Sequence, residues 1–163
     1  MVAEVLSLSK PLTNAMKSER SKLSGSAIEL LIALSAGLGP AFEPLISPFI
    51  PIVLGLCARA NTVFTRRSKA CVFAVIENTK LPSLLPYLTE SINHKSASLR
   101  QVAANGVIAC LNCFNSRNNA RAHLIEEVIK LTARDSRADV RKAGEKISQA
   151  YDTLQPDSVD RFV

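Results

Sequence analysis

Tryptophan is absent from this chain of 163 residues, and aromatics of every kind make up only 5% of it. A core built almost without rings is left to Leu, Ile, Val and Ala, which suits packed helices. Apolar residues reach 47% and charged residues 21%, a globular balance that excludes a disordered chain. Histidine is scarce: His94 and His123 are isolated, with no Ser or Cys nucleophile patterned around them. Cysteine is scarce too, and only Cys110 and Cys113 form a C-x-x-C; no second pair and no neighbouring His completes a zinc site. The pair lies in IACLNCF, an apolar helical stretch. A redox pair belongs at a helix start after a strand, so buried structural thiols are expected here. Glu126 and Glu127 are adjacent on a predicted helix and point to different sides. GLGP at residues 37–40 reads as a helix-end turn, not as G-x-x-x-x-G-K. These absences argue against an enzyme, and no metal or cofactor is expected.

Long apolar runs are the next thing missing. The richest stretch, Phe42 to Cys57, carries Glu43 and is interrupted by Pro44, Pro48, Pro51 and Gly55, so no membrane span is expected. The start, MVAEVLSLSK, lacks a basic segment followed by a signal-type apolar core, which predicts a cytosolic chain.

What is present is a repeat. With Leu23, Phe64, Leu99 and Val140 taken as position zero, four residues on lie Ala27, Ser68, Ala103 and Gly144, all small. Seven on lie Leu30, Cys71, Gly106 and Ile147, eight on Leu31, Val72, Val107 and Ser148, and eleven on Leu34, Val75, Cys110 and Tyr151. Offsets of 0, 4, 7, 8 and 11 mark one face of an α-helix. The origins are 41, 35 and 41 residues apart, a period that predicts an all-α HEAT-repeat solenoid of about four antiparallel helix pairs. The repeats run over about 3–38, 41–80, 81–114 and 119–155, in a single domain spanning 1–163. First helices are expected over Val5–Lys17, Phe42–Arg59, Leu81–Asn93 and Ala120–Arg134, with Asn115–Asn119 as a polar turn. Asp139 and Ser98 are placed to cap the second helices of the last two pairs, Ser98 with Gln101 as a capping box. Arg100 and Arg141 are expected to reach acids or carbonyls of neighbouring repeats.

Charge is unevenly placed along this repeat. The turns inside each pair, with the first residues of the next helix, hold thirteen of the 20 basic residues, opposed there by Glu19, Asp135 and Asp139 alone. Equivalent turns of a solenoid share an edge, so a basic edge of net +10 on a body of net −4 is expected. Solvated turns are often basic, and that reading stays open beside the sharper one, an elongated surface for an acidic partner. Arg20, Lys22, Thr62, Val63, Arg66, Arg67, Lys95 and Arg137 are the candidates without an obvious packing duty.

The stretch from Leu8 to Ala70, with its charged turn and SxL, its LSxxLG helix end and its P-L-I-P-type helix, resembles the middle of a TOG domain of the CLASP (CLIP-associating protein) type. The later PxLLPYLTE, the K-S-x-x-L-R and the final D-x-x-x-D-V-R-K-A extend the likeness over almost the whole chain. The resemblance implies binding of αβ-tubulin through the turns inside each repeat. Carried over by position, it selects Arg20 and Lys22 in the first turn, Thr62, Val63, Arg66 and Arg67 in the second, Lys95 in the third and Arg137 in the fourth. It also implies a place in the cytoplasm on microtubules and the spindle.

TOG domains usually have more repeats than the four read here, with the start of a fifth at Asp157–Val163, and many offer a Trp that this chain lacks. A shortened N-terminal end is therefore expected to expose an apolar face involving Val5, Leu6, Leu12 and Met16, and to self-associate or take a partner there. The alternative reading is a HEAT scaffold for an acidic protein or peptide other than tubulin. Nucleic acid is disfavoured, because Tyr87, Tyr151 and the Phe residues fall at core positions with no basic–aromatic interleaving.

Overall fold

The structure, a computed structural model, describes residues 1–113 and 122–154. Among these residues every regular element is helical. The chain divides into two compact units, Met1–Leu84 and Leu85–Val163.

In the first unit, α1 (Val2–Ser7) and α2 (Ser9–Met16) precede a long helix α3 (Ser21–Leu38). Helix α4 (Glu43–Leu56) and helix α5 (Thr62–Thr79) form the next pair. Helix α3 packs on α5, and α1 and α2 pack on α4, so the unit has two layers. Its core holds Met16, Ile28, Leu31, Phe42, Leu45, Phe49, Val53, Val75 and Ile76, each no more than 2% exposed. The buried Ser24 hydroxyl donates to the carbonyl of Met16 at 2.7 Å and fastens α3 to the end of α2. Gly39, with φ 53°, closes α3, and a 3-10 turn over Gly39–Phe42 leads into α4.

Helix α4 carries Pro48 and Pro51 in its interior. With Pro44, Ser47 and Gly55 they recur at helical spacing, and Pro44, Ser47, Pro51 and Gly55 are exposed. The carbonyls deprived of a partner thus lie on the water side, where solvent can bond them. The opposite face, Leu45, Ile46, Phe49, Ile50, Val53 and Leu54, is buried.

Taken as one stretch, Ser21–Leu56 is long and apolar enough, by length and composition, to cross a membrane, with a mean hydropathy of 1.5 in its richest window. This corrects the expectation from Phe42–Cys57 alone, which left out the apolar helix before it. The stretch is folded here as two helices that break at Gly39 and bury Ile28, Leu31, Leu45 and Phe49 against protein.

The first unit ends in a 3-10 turn at Pro82–Leu84; the second holds α6 (Leu85–Ser91), α7 (Ala97–Cys113), α8 (Ala122–Ala133) and α9 (Ala138–Leu154). The pairing repeats: α6 on α7, α8 on α9, α6 on α8 and α7 on α9. Asn115–Asn119 and Asp157–Val163 lie outside the described residues.

The small-residue column is at tight interfaces as expected. Ala27 is 6% exposed, Ser68 and Ala103 are 0%, and Gly144 is buried. A methyl added at Gly144 would sit 2.7 Å from Cβ of Thr132, so only glycine lets α9 approach α8 this closely. Position zero is buried at Phe64, Leu99 and Val140. Leu23 and Leu30 depart from the pattern: they are 46% and 45% exposed, because no element of the unit packs on that face of α3.

The caps also depart from expectation. Helix α7 begins at Ala97, and the Ser96 hydroxyl, not Ser98, accepts from the N–H of Leu99 at 3.4 Å. Asp139 lies within the first turn of α9, while Asp135 accepts from the N–H of Arg137 at 2.9 Å. Each helix starts one residue before its expected cap, at Ala97 and at Ala138.

Candidate functional site

In the first unit the turn after α2 and the turn after α4 lie beside one another, held by two arginines. Arg59 donates from Nη2 to the carbonyl of Lys17 at 2.9 Å, stands 3.9 Å from Glu19, and lies over the ring of Phe64 with 5.1 Å to its centroid. Arg67 donates to the carbonyl and to the hydroxyl of Ser21, the latter at 3.0 Å. Gly25 leaves room for it: a Cβ there would sit 2.7 Å from the Arg67 guanidinium. Asn61 caps α5 by accepting from the N–H of Val63 at 2.9 Å. These contacts fix the edge and leave Arg20, Lys22, Thr62, Val63 and Arg66 exposed, Val63 at 44%.

The second unit has the same device. Arg100, at the start of α7, donates to the carbonyls of His94 and Lys95 at 3.1 and 3.0 Å, and makes a two-pronged pair with Asp135 at 2.8 and 3.3 Å. Arg141 donates to the carbonyl of Asp135 at 2.7 Å. Burial alone would raise the Asp135 pKa, but the hydrogen bonds from Arg100 and the Arg137 N–H, with the charges of Arg100 and Arg141, hold it below the usual carboxylate range. Nδ1 of His94 accepts from the N–H of Ser96 at 3.0 Å, so this ring shapes the turn. Lys95, Arg134, Arg137 and Lys142 remain exposed around this braced centre. Arg137 stands 4.0 Å from Asp139 with both side chains more than half in water, a contact too screened to immobilise it.

The structure therefore sorts the sequence candidates. Arg20, Lys22, Thr62, Val63 and Arg66 share one edge of the first unit. Lys95 and Arg137 share one edge of the second. Arg67 is on the first edge but is engaged with Ser21, so it holds the turns together. Arg100 reaches an acid of the next repeat as expected, but its carbonyl acceptors and that of Arg141 lie within their own repeats. Arg59 is a structural residue that reasoning from charge alone missed; the signal was its place in the turn five residues before the core aromatic Phe64.

The other chemistry-bearing groups are absorbed by packing. Cys57, Cys71 and Cys110 are buried, and burial pushes each thiol up to about 12. That keeps them protonated and unreactive. Glu126 accepts from the Tyr151 hydroxyl at 3.1 Å while Glu127 is exposed. Among the described residues no group of three or more His, Cys, Asp or Glu is placed to hold a metal ion.

Comparison with known proteins decides the family. The model described as CLASP N terminal matches residues 1–158. The chain belongs to the CLASP N-terminal family. Its all-α, HEAT-like architecture and its TOG-type character agree with that family, which is tied to microtubule regulation and has no catalytic role of its own. A CLIP-associated protein of Arabidopsis thaliana is 25% identical over 155 residues, 93% of this chain and 11% of that protein. Elongation factor 3 of Zygosaccharomyces rouxii is 22% identical over 157 residues, 93% of this chain and 15% of that protein. The chain thus spans only a small part of the curated relatives it matches. Among solved structures, a TOG domain of crescerin, described as using a TOG array to regulate microtubules in the primary cilium, superposes with a TM-score of 0.69 at 18% identity. The superposition covers 97% of this chain and 72% of that one, and it shows a shared fold.

Proposed function

We propose that this CLASP-family chain is a non-enzymatic tubulin-binding module, acting as one TOG-like domain over residues 1–163. Its braced turn edges would meet the acidic surface of tubulin or of the microtubule lattice and so regulate polymer dynamics. The observation that carries the reading is the division of labour among the basic residues. Arg59, Arg67, Arg100 and Arg141 are spent on holding turns in place, and Arg20, Lys22, Arg66, Lys95 and Arg137 are held out into water beside them. A cation displayed on a fixed turn gives up little side-chain and loop freedom when it meets its partner, which favours affinity. Thr62 and Val63, exposed at the start of α5, would add an uncharged contact on the same edge. On this reading the chain works in the cytoplasm on microtubules, including those of the spindle.

The test is binding of the whole chain to tubulin in both forms: gel filtration with free tubulin dimer and co-sedimentation with assembled microtubules. Binding to at least one, weakening as salt rises, is expected. Binding to neither removes this reading and leaves the alternative, a HEAT scaffold for another acidic protein, to be pursued with the same exposed cations.

A further inference from the structure

Helix α3 has one buried face, Ser24, Ala27, Ile28, Leu31 and Ser35, and one open face. The open face carries Lys22, Leu23, Ser26, Glu29, Leu30, Ala33, Ala36 and Gly37, all exposed. Leu23 and Leu30 occupy helix positions that are buried at Phe64 and Cys71 and at Val140 and Ile147. Between and beyond them the residues are small, and a Cβ added at Gly37 would meet nothing within 4 Å. The surface is therefore flat enough for another helix to lie close. The expected participant Met16 is not part of it, being 1% exposed in the core.

The charges on this face say which helix. Lys22 and Glu29 stand seven residues apart, as do Leu23 and Leu30, and neither charge has a partner in the unit. We propose that α3 pairs antiparallel with α3 of a second copy of this chain, Leu23 against Leu30 of the second copy and Lys22 near Glu29 of that copy, each contact made twice. A two-fold crossing near residue 26 satisfies both pairings to within about one residue of register, a shift of roughly 1.5 Å along a helix. A two-fold interface needs a self-complementary patch, and opposite charges at the two ends of an apolar stripe supply one. A parallel pairing would set Lys22 against Lys22 and Glu29 against Glu29. The proposal shares Lys22 with the exposed edge of the tubulin reading, and its test reads self-association alone, without tubulin.

The test is sedimentation velocity of the full chain over a wide concentration range, with far-ultraviolet circular dichroism on each variant. The wild type should show a concentration-dependent monomer–dimer equilibrium. Leu30→Glu, on an exposed side chain, should keep the helical spectrum and weaken the dimer roughly ten- to a hundredfold. Lys22→Glu and Glu29→Lys should each weaken it, and the double variant K22E/E29K should restore it. A wild type that stays monomeric throughout would overturn the proposal. So would a dimer indifferent to Leu30→Glu, or one that the double variant fails to restore.

Discussion

Asp135 illustrates, at the scale of single residues, why a charge near a surface is not automatically a contact. Its carboxylate is 7% exposed and is held by Arg100, itself 15% exposed. The folded pKa lies below the unfolded value of about 3.9. The unfolded chain therefore binds more protons in the acid range, and the stability this group contributes is present above that value and lost as pH falls through the folded pKa. Asp135→Asn should lower stability at neutral pH by roughly 1–3 kcal/mol, since Arg100 loses a charged acceptor. Urea unfolding at pH 7 and at strongly acid pH should show the difference shrinking with acidity; an equal difference at both would mean that the pair does not carry it. Which arginines are braces was only partly legible in the sequence. Arg100 and Arg141 could be read from their place in the repeat. Arg59 and Arg67 were not, because neither stands one residue after a repeat origin as Arg100 and Arg141 do; they reach the carbonyls of Lys17 and Ser21 from other positions.

At the scale of helices, two substitutions separate packing from propensity. Gly144→Ala would gain helix propensity, worth about 1 kcal/mol in an open helix. Against Thr132 it should instead destabilise, with overpacking of the order of 1–3 kcal/mol opposing that gain. Ala103→Leu, at 0% exposure, should lose stability on the same scale. Thermal or urea midpoints that do not fall would show that these contacts can open without loss. Pro51→Ala should behave oppositely. Pro51 is exposed inside α4 and leaves the Ser47 carbonyl without its helical donor, so alanine should raise the midpoint, and a fall would show that α4 needs the proline.

The second helices of the pairs were readable because core spacing at offsets 0, 4, 7, 8 and 11 is a direct consequence of one-sided burial. Their starts were not, since Ser96 and Asp135 act through local hydrogen bonds that apolar spacing does not register. Nor did spacing distinguish Leu23 and Leu30 from their buried counterparts. A side chain's position on a helix face does not say whether anything covers that face.

At the scale of the whole molecule, net charge of +6 describes solubility and attraction, not a site. On the proposed reading, the site is the set of cations on fixed turns that share an edge within a unit. The central claim is that the exposed cations of the first unit's edge, not the chain's charge as a whole, carry binding to microtubules. Co-sedimentation of two double variants of equal charge change tests it most directly. Arg20→Glu with Arg66→Glu reverses two exposed cations of the edge. Lys10→Glu with Lys80→Glu reverses two exposed lysines away from those turns, one on α2 and one after the end of α5. With both proteins folded by circular dichroism, the edge pair should lose binding at physiological salt and the other pair should keep it. Equal loss in both would contradict the account, leaving attraction by net charge and a fold without a site.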